Sequence, residues 1–214
     1  MAQADSVPSL VRGTITGAAL NRSTKRPDRR YFIGGSDARI IVGKDEAALL
    51  RLWREKRGEA GLEDLSGNLV VQLGAVTEEL NRRWYEANTG QVTTDVQKHI
   101  RHPGLRWMAA TLDGRVEASG AVFEAKFMLP WSFSEEAAAE KYAPQLQHNM
   151  WVVAAPTAVL SVITGGGKWV EIKTHADPLY QHLIVTWCRR KPSRRLAMVS
   201  GPSARNRGPL VSTL

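Results

Sequence analysis

The sequence predicts an α/β domain in which a central mixed β-sheet is flanked by helices. Three observations carry that reading. Residues 111–127 and 157–173 each alternate in the manner of strands and break at a glycine-containing turn, as β-hairpins do. Helical stretches with start and stop residues surround and separate them, the longest over residues 70–88 and closed by Gly90. The first hairpin also gathers Asp113, Glu124 and Lys126 at one end.

Composition bounds the possibilities. At 214 residues the chain can form one well-cored domain or at most two small ones. Its 43% hydrophobic and 23% charged residues are ordinary for a soluble globular protein, and no apolar run approaches membrane length. A cytosolic setting with no membrane partner is therefore expected. One cysteine, Cys188, excludes an internal disulfide and any four-cysteine zinc or iron–sulfur site. The five histidines show no HxxxH or HxxE spacing, and neither a P-loop nor a dinucleotide fingerprint occurs. Charge is unevenly placed within the total of +8: residues 1–44 carry 8 basic and 3 acidic side chains, residues 45–167 carry 12 and 16, and residues 168–214 carry 9 and 2. Basic ends around an acidic middle suit a polyanion ligand, since cations neutralise phosphates while carboxylates hold a metal.

Taken in order, residues 1–28 lack periodicity and read as a loosely ordered arm; residues 29–190 form the single domain; residues 191–214 read as a basic flexible tail. Gly34-Gly35-Ser36-Asp37 leads into a short helix with Ser36 as its expected N-cap and Gly43 as its stop, a glycine pair that would leave N–H groups facing an anion. Asp45 caps the next helix, with Leu49, Leu50, Leu52 and Trp53 on one face, and Gly58 ends it. On the helix over 70–88, Glu78 shares a face with Gly74 and approximately with Val71 and Trp84, so a buried Glu78 needs a partner. Ser134 starts a helix, and Pro144 begins another carrying Gln145 and Gln147, of which only one can reach a site. Residues 157–164 and 168–173 pair around Gly165-Gly166-Gly167, and Pro178 opens a last helix running to about Arg190.

The chemistry sits in the first hairpin. A turn near Ser119 places Asp113 roughly opposite Glu124 to Lys126, because positions equidistant from a turn face each other. Alternation puts Val122, Glu124 and Lys126 on one face and Phe123, Ala125 and Phe127 on the other. Two carboxylates held side by side bind a hard divalent cation such as Mg²⁺, which keeps several waters. A lysine two residues on can hold or deprotonate water and stabilise developing negative charge. An exposed cross-strand ion pair is the non-catalytic alternative.

Order and spacing resemble a known family. Ile33-Gly34-Gly35-Ser36-Asp37, Leu52-Trp53-Arg54-Glu55-Lys56-Arg57-Gly58, Gly74 with Glu78, Tyr85 with Thr89-Gly90, His102-Pro103, Asp113-Gly114, Glu124-Ala125-Lys126 and Gln145-Leu146-Gln147 are similar to the YqaJ-type viral recombinase family. That family includes the phage lambda exonuclease and lies within the PD-(D/E)XK nuclease superfamily. The resemblance spans about residues 29 to 155 and implies a restriction-endonuclease-like core. It implies Asp113, Glu124 and the Ala125 backbone carbonyl as ligands of Mg²⁺, with Mn²⁺ expected to substitute. It further implies Lys126 as the residue that positions and activates water, Glu78 at the metal or its water, and Gln145 orienting the lysine or the nucleophile. Ser36 and Arg29 match positions that hold a DNA 5′-phosphate; Arg30 is an equal occupant. The implied activity is 5′→3′ digestion of linear double-stranded DNA ends, leaving a 3′ strand for a single-strand annealing protein in phage recombination. A ring trimer is the implied homo-oligomer, and a bacterial host cytoplasm the setting. Leu112 stands where the superfamily pattern has proline, and residues beyond 175 match no part of the family. The alternatives are an endonuclease of the same superfamily, of restriction or junction-resolving type, and a DNA-binding module without catalysis.

Overall fold

A computed structural model of the chain describes residues 28–199, with side chains through Arg189. The expected arm lies outside the described residues except for Asp28, and so does the expected tail beyond residue 199. The order is α1 (Gly35–Val42), α2 (Glu46–Lys56), α3 (Leu69–Thr89), β1 (Thr93–Thr94), β2 (His99–Arg101), β3 (Ala109–Thr111), β4 (Gly114–Val116), β5 (Val122–Met128), α4 (Glu135–Val153), β6 (Thr157–Thr164), β7 (Trp169–His175) and α5 (Pro178–Val199).

Local chemistry accounts for most boundaries. Asp45 caps α2 by accepting the Ala48 N–H at 2.9 Å, and Ser134 caps α4 by accepting that of Ala137 at 3.1 Å. Gly90, at φ 68°, supplies the left-handed residue that closes α3. Three boundaries differ from expectation. α1 starts at Gly35 and not after Ser36, because the Asp37 carboxylate reaches back to accept the Gly34 N–H at 2.9 Å. Pro144 lies inside a continuous α4, where burial of Leu146, Met150 and Val152 against the sheet outweighs the one backbone bond the ring removes. α5 continues past Arg190 to Val199, since Arg194, Arg195, Leu196, Ala197 and Met198 are all good helix formers despite Pro192.

The main sheet runs β1-β4-β5-β6-β7, with β5 and β6 parallel and every other pair antiparallel; β2 and β3 form a separate antiparallel pair. Helix α4 is the crossover that a parallel β5–β6 pair requires. The predicted hairpin is present, with Gly114 opposite Phe123. Alternation on β5 also holds: Val122 joins the α4 side with Leu146, Met150 and Leu160, whereas Phe123 and Ala125 pack with Tyr85 of α3. A third cluster, Ala38, Ile41, Leu52, Ile184 and Cys188, joins α1, α2 and α5.

Helix α3 is turned differently from its expected face. Val71 and Trp84 remain exposed, and the inward residues are Asn81 and Tyr85. Asn81 explains the rotation: its amide donates to the carbonyls of Lys126 (3.1 Å) and Ser161 (2.9 Å), and its oxygen accepts from the Ser161 hydroxyl. Trp169 Nε1 donates to the same hydroxyl at 2.8 Å. A buried amide so placed must be fully bonded, which ties α3 to β5 and β6 at one rotation.

His148 is fully buried on α4, and its basicity is pushed down to about 4, first by burial. Asn149 and Asp37 act in the opposite direction and His102 adds to the lowering. The unfolded chain protonates near pH 6.5, so between about pH 6.5 and 4 the unfolded state binds the extra proton and stability falls as pH falls. Urea unfolding across that window should show wild type losing about 3 kcal/mol more than His148→Gln. Parallel pH profiles for the two proteins would contradict this reading.

Candidate active site

The hairpin and α4 meet at one carboxylate. Glu124 is 1% exposed on β5, where it accepts hydrogen bonds from Lys126 Nζ and Gln145 Nε2 on Oε1 and from Asn149 Nδ2 on Oε2 at 3.3 Å. Asp113, just before β4, accepts the Ala125 N–H on Oδ2 at 2.9 Å, and the same oxygen lies 4.0 Å from Lys126 Nζ. Cross-strand register thus sets the two carboxylates beside one ammonium. The Lys126 ammonium also sits over the Tyr142 ring, 5.5 Å from its centroid.

Electrostatics follow from this crowding. Burial, with the Asp113 charge second, pushes the Glu124 carboxyl up to about 7. Burial and Asp113 likewise raise Glu78, which is half-buried on α3 and accepts a hydrogen bond from Gln97 Nε2. Burial alone would lower Lys126, but Glu124 and Asp113 outweigh it and hold the ammonium charged. Among the described residues no three His, Cys, Asp or Glu side chains lie close enough to hold an ion together. The donor set is two adjacent carboxylates, crowded enough to raise one of them, and that set fits a hard divalent ion that keeps its own waters.

Arg29 and Ser36 also come together, since Arg29 Nη2 donates to Ser36 Oγ at 3.2 Å and to Asp37 Oδ1 at 2.7 Å. Arg30 instead pairs with Asp28. Lys56 closes this second cluster, donating to Asp37 Oδ2 (2.6 Å) and to the carbonyls of Arg29 (2.6 Å) and Phe32 (2.7 Å). One carboxylate between two cations leaves net positive charge at the α1 N-terminus. Of the glycine pair, Gly34 has its N–H taken up within the helix N-terminus, donating to Asp37. Gly35 lies so close to α4 that an added Cβ would stand 2.4 Å from Asn149 Oδ1.

Residues 26–165 match the YqaJ-like viral recombinase domain. The chain belongs to the YqaJ-like viral recombinase family. The uncharacterized protein YqaJ of Bacillus subtilis (strain 168) is 27% identical over 188 residues, covering 83% of this chain, which spans 59% of that relative's length. An alkaline exonuclease from Laribacter hongkongensis, LHK-Exo, has a TM-score of 0.64 at 19% identity, covering 75% of this chain and 86% of its own. The same enzyme in complex with dAMP has a TM-score of 0.63 at 19% identity, covering 80% and 89%. A phage related exonuclease from Haemophilus somnus 129PT has a TM-score of 0.61 at 14% identity, covering 79% and 96%. The mixed sheet flanked by helices is thus a fold shared with these exonucleases.

Within this YqaJ-like domain the sequence reading missed Asn149, Lys56, Asn81 and Gln97. Asn149 follows Gln145 by one helical turn and so shares its face, a signal present in the sequence. Lys56 looked like part of a polar surface, and only the tertiary approach to Asp37 distinguishes it. Gln145 reaches Glu124, whereas Gln147 turns away to bond the His175 carbonyl (2.8 Å) and the Asp177 N–H (2.9 Å). Leu112 is fully buried in the core, which gives the residue at the usual proline position a packing role.

Gly35→Ala should destabilise the fold by about 1–3 kcal/mol in urea unfolding, because the new methyl must displace buried Asn149. Gly74→Ala, inside α3 with nothing within 4 Å of its added Cβ, should instead stabilise by about 0.5–1 kcal/mol. Equal effects at the two glycines would refute the close α1–α4 approach.

Proposed function

We propose that this chain is a Mg²⁺-dependent deoxyribonuclease that degrades linear double-stranded DNA from its 5′ ends, leaving 3′ single-stranded overhangs for recombination by strand annealing. The observation that carries the reading is the convergence of Asp113, Glu124, Lys126 and Gln145 in a YqaJ-like domain. Asp113, Glu124 and the Ala125 carbonyl would hold the ion, and Mn²⁺ would substitute. When bound, Mg²⁺ supplies Lewis-acid polarisation of a phosphate oxygen and acidifies water.

The chain's own groups account for the rest. Lys126, held charged, donates to the scissile phosphate or the attacking water and offsets the negative charge that grows on the phosphoryl oxygens. Gln145, whose amide bonds Glu124, orients the lysine and the nucleophile. Glu78, half-buried beside Asp113 and pushed upward first by burial, would accept the proton of that water. Cleavage of the P–O3′ bond releases a nucleoside 5′-monophosphate and leaves a new 5′-phosphorylated end. The dAMP complex of the Laribacter exonuclease accords with such a product. Ser36 and Arg29 would receive each new terminal phosphate, with the Asp37–Lys56 pair holding them in place. The family further suggests work as a ring trimer beside a single-strand annealing protein.

Release of labelled nucleotides from a linear 5′-phosphorylated duplex with Mg²⁺, beside closed circular DNA, tests the proposal. The linear duplex should be degraded and the circle spared, and Lys126→Ala should lose on the order of 10²–10⁴-fold in rate. Cutting of the circle would favour an endonuclease; binding without cutting would favour a DNA-binding module. A 5′-hydroxyl end should be digested more slowly than a 5′-phosphate end, and Ser36→Ala should erase part of that difference. Equal rates on the two ends would remove Ser36 and Arg29 from phosphate recognition.

A further inference from the structure

One cation beside the proposed catalytic cluster is left without an anion. Arg39 follows Ser36 on α1 by three residues and therefore shares its face. Its guanidinium carbon lies 5.9 Å from the centroid of the Tyr142 ring, which also carries Lys126 Nζ at 5.5 Å and Lys141 Nζ at 5.3 Å. Among the described residues Arg39 makes no ion pair, and its Nε is buried with no hydrogen-bond partner. The nearby acids are committed elsewhere: Asp37 to Arg29 and Lys56, and Glu124 to Lys126, Gln145 and Asn149.

A ring face stabilises a guanidinium by attraction to its quadrupole, but it does not accept the in-plane N–H bonds. A buried donor with no acceptor is costly, and an anionic oxygen is the acceptor that a guanidinium fork matches best. Tyr142 thus holds Arg39 without neutralising it, on the same ring that Lys126 approaches. Arg39 shares a helix face with Ser36 at one side and the Tyr142 ring with Lys126 at the other.

We propose that Arg39 binds a non-bridging oxygen of the first phosphodiester of the DNA strand being digested, the linkage that joins the 5′-terminal nucleotide to the next and lies at the Asp113–Glu124–Lys126 cluster, with Lys141 as a second cation at the rim. This assignment rests on the nuclease reading. Arg39 is a substrate-binding residue and takes no part in proton transfer.

The test measures binding of a 5′-phosphorylated duplex in EDTA at several salt concentrations, together with steady-state digestion in Mg²⁺. Arg39→Met keeps the apolar stem, and Arg39→Lys keeps the charge as well. Arg39→Met should weaken binding at least about fivefold and reduce the slope of log affinity against log salt by about 1. Its KM should rise more than its kcat falls, and Arg39→Lys should recover the salt slope. A scan of single methylphosphonates along the first few linkages should find one position whose neutralisation weakens wild type and leaves Arg39→Met unchanged. Should Arg39→Met fail to fold, the same scan comparing wild type with Arg39→Lys decides, since losing the fork should alter the response at that one linkage. Wild type that degrades the duplex while both variants bind, respond to salt and turn over as it does overturns the assignment alone. Wild type that neither binds nor degrades DNA overturns the nuclease reading beneath it.

Discussion

The buried Glu124 carboxylate organises everything around it. A carboxylate removed from water costs several kcal/mol unless donors replace the lost solvent, and here Lys126, Gln145 and Asn149 do so from two different elements. Gln145 and Asn149 stand one turn apart on α4, which lets both reach the same acid. Asn149 in turn occupies the space that any side chain at position 35 would need, so a glycine is required where α1 meets α4. The hairpin register then brings in Asp113, whose own bond to the Ala125 N–H holds it against the strand.

Polar anchors of the same kind set the rest of the architecture. Asn81 bonds the backbone of β5 and β6 from α3, and Lys56 spends its three protons on Asp37 and two carbonyls of the N-terminal segment. Each satisfies a buried group that an apolar contact would leave unpaired, and each specifies a rotation or a position that hydrophobic packing alone tolerates in several versions. The apolar clusters provide cohesion; the buried amides and ions decide which helix face looks inward. Glu78 owes its place near Asp113 to this division of labour, because Asn81 and not the apolar residues of α3 determines how the helix is turned.

Charge is layered in space much as it is along the chain. The acids Glu78, Asp113 and Glu124 come together from α3, from just before β4 and from β5, with Lys126 beside them on β5; Arg39, Lys56 and Lys141 lie on α1, α2 and α4, and Arg29 just ahead of α1. The cations balance Asp37 and Glu124 and leave a positive excess along α1, which is the field an incoming phosphodiester chain would meet.

By itself the sequence determined the two hairpins over residues 111–127 and 157–173, the register of the first and the αL stop at Gly90, because alternation, turn residues and caps act over a few positions and need no partner; the short strands β1, β2 and β3 carry too few residues to show alternation. It determined the juxtaposition of Asp113, Glu124 and Lys126 for the same reason, since a hairpin is a local structure. It misjudged Ser36 as a cap, Pro144 as a start, Arg190 as an end and the inward face of α3, each time because a contact distant in sequence outweighed the local preference or because a breaker was weighted over its neighbours. Between Arg29 and Arg30 the sequence offered no choice; the reach of Arg29 to Ser36 and Asp37, and of Arg30 to Asp28, is a three-dimensional fact. Lys56, Asn81 and Arg39 became visible only in the tertiary structure, where burial turns an ordinary polar side chain into one that must find a partner or a ligand.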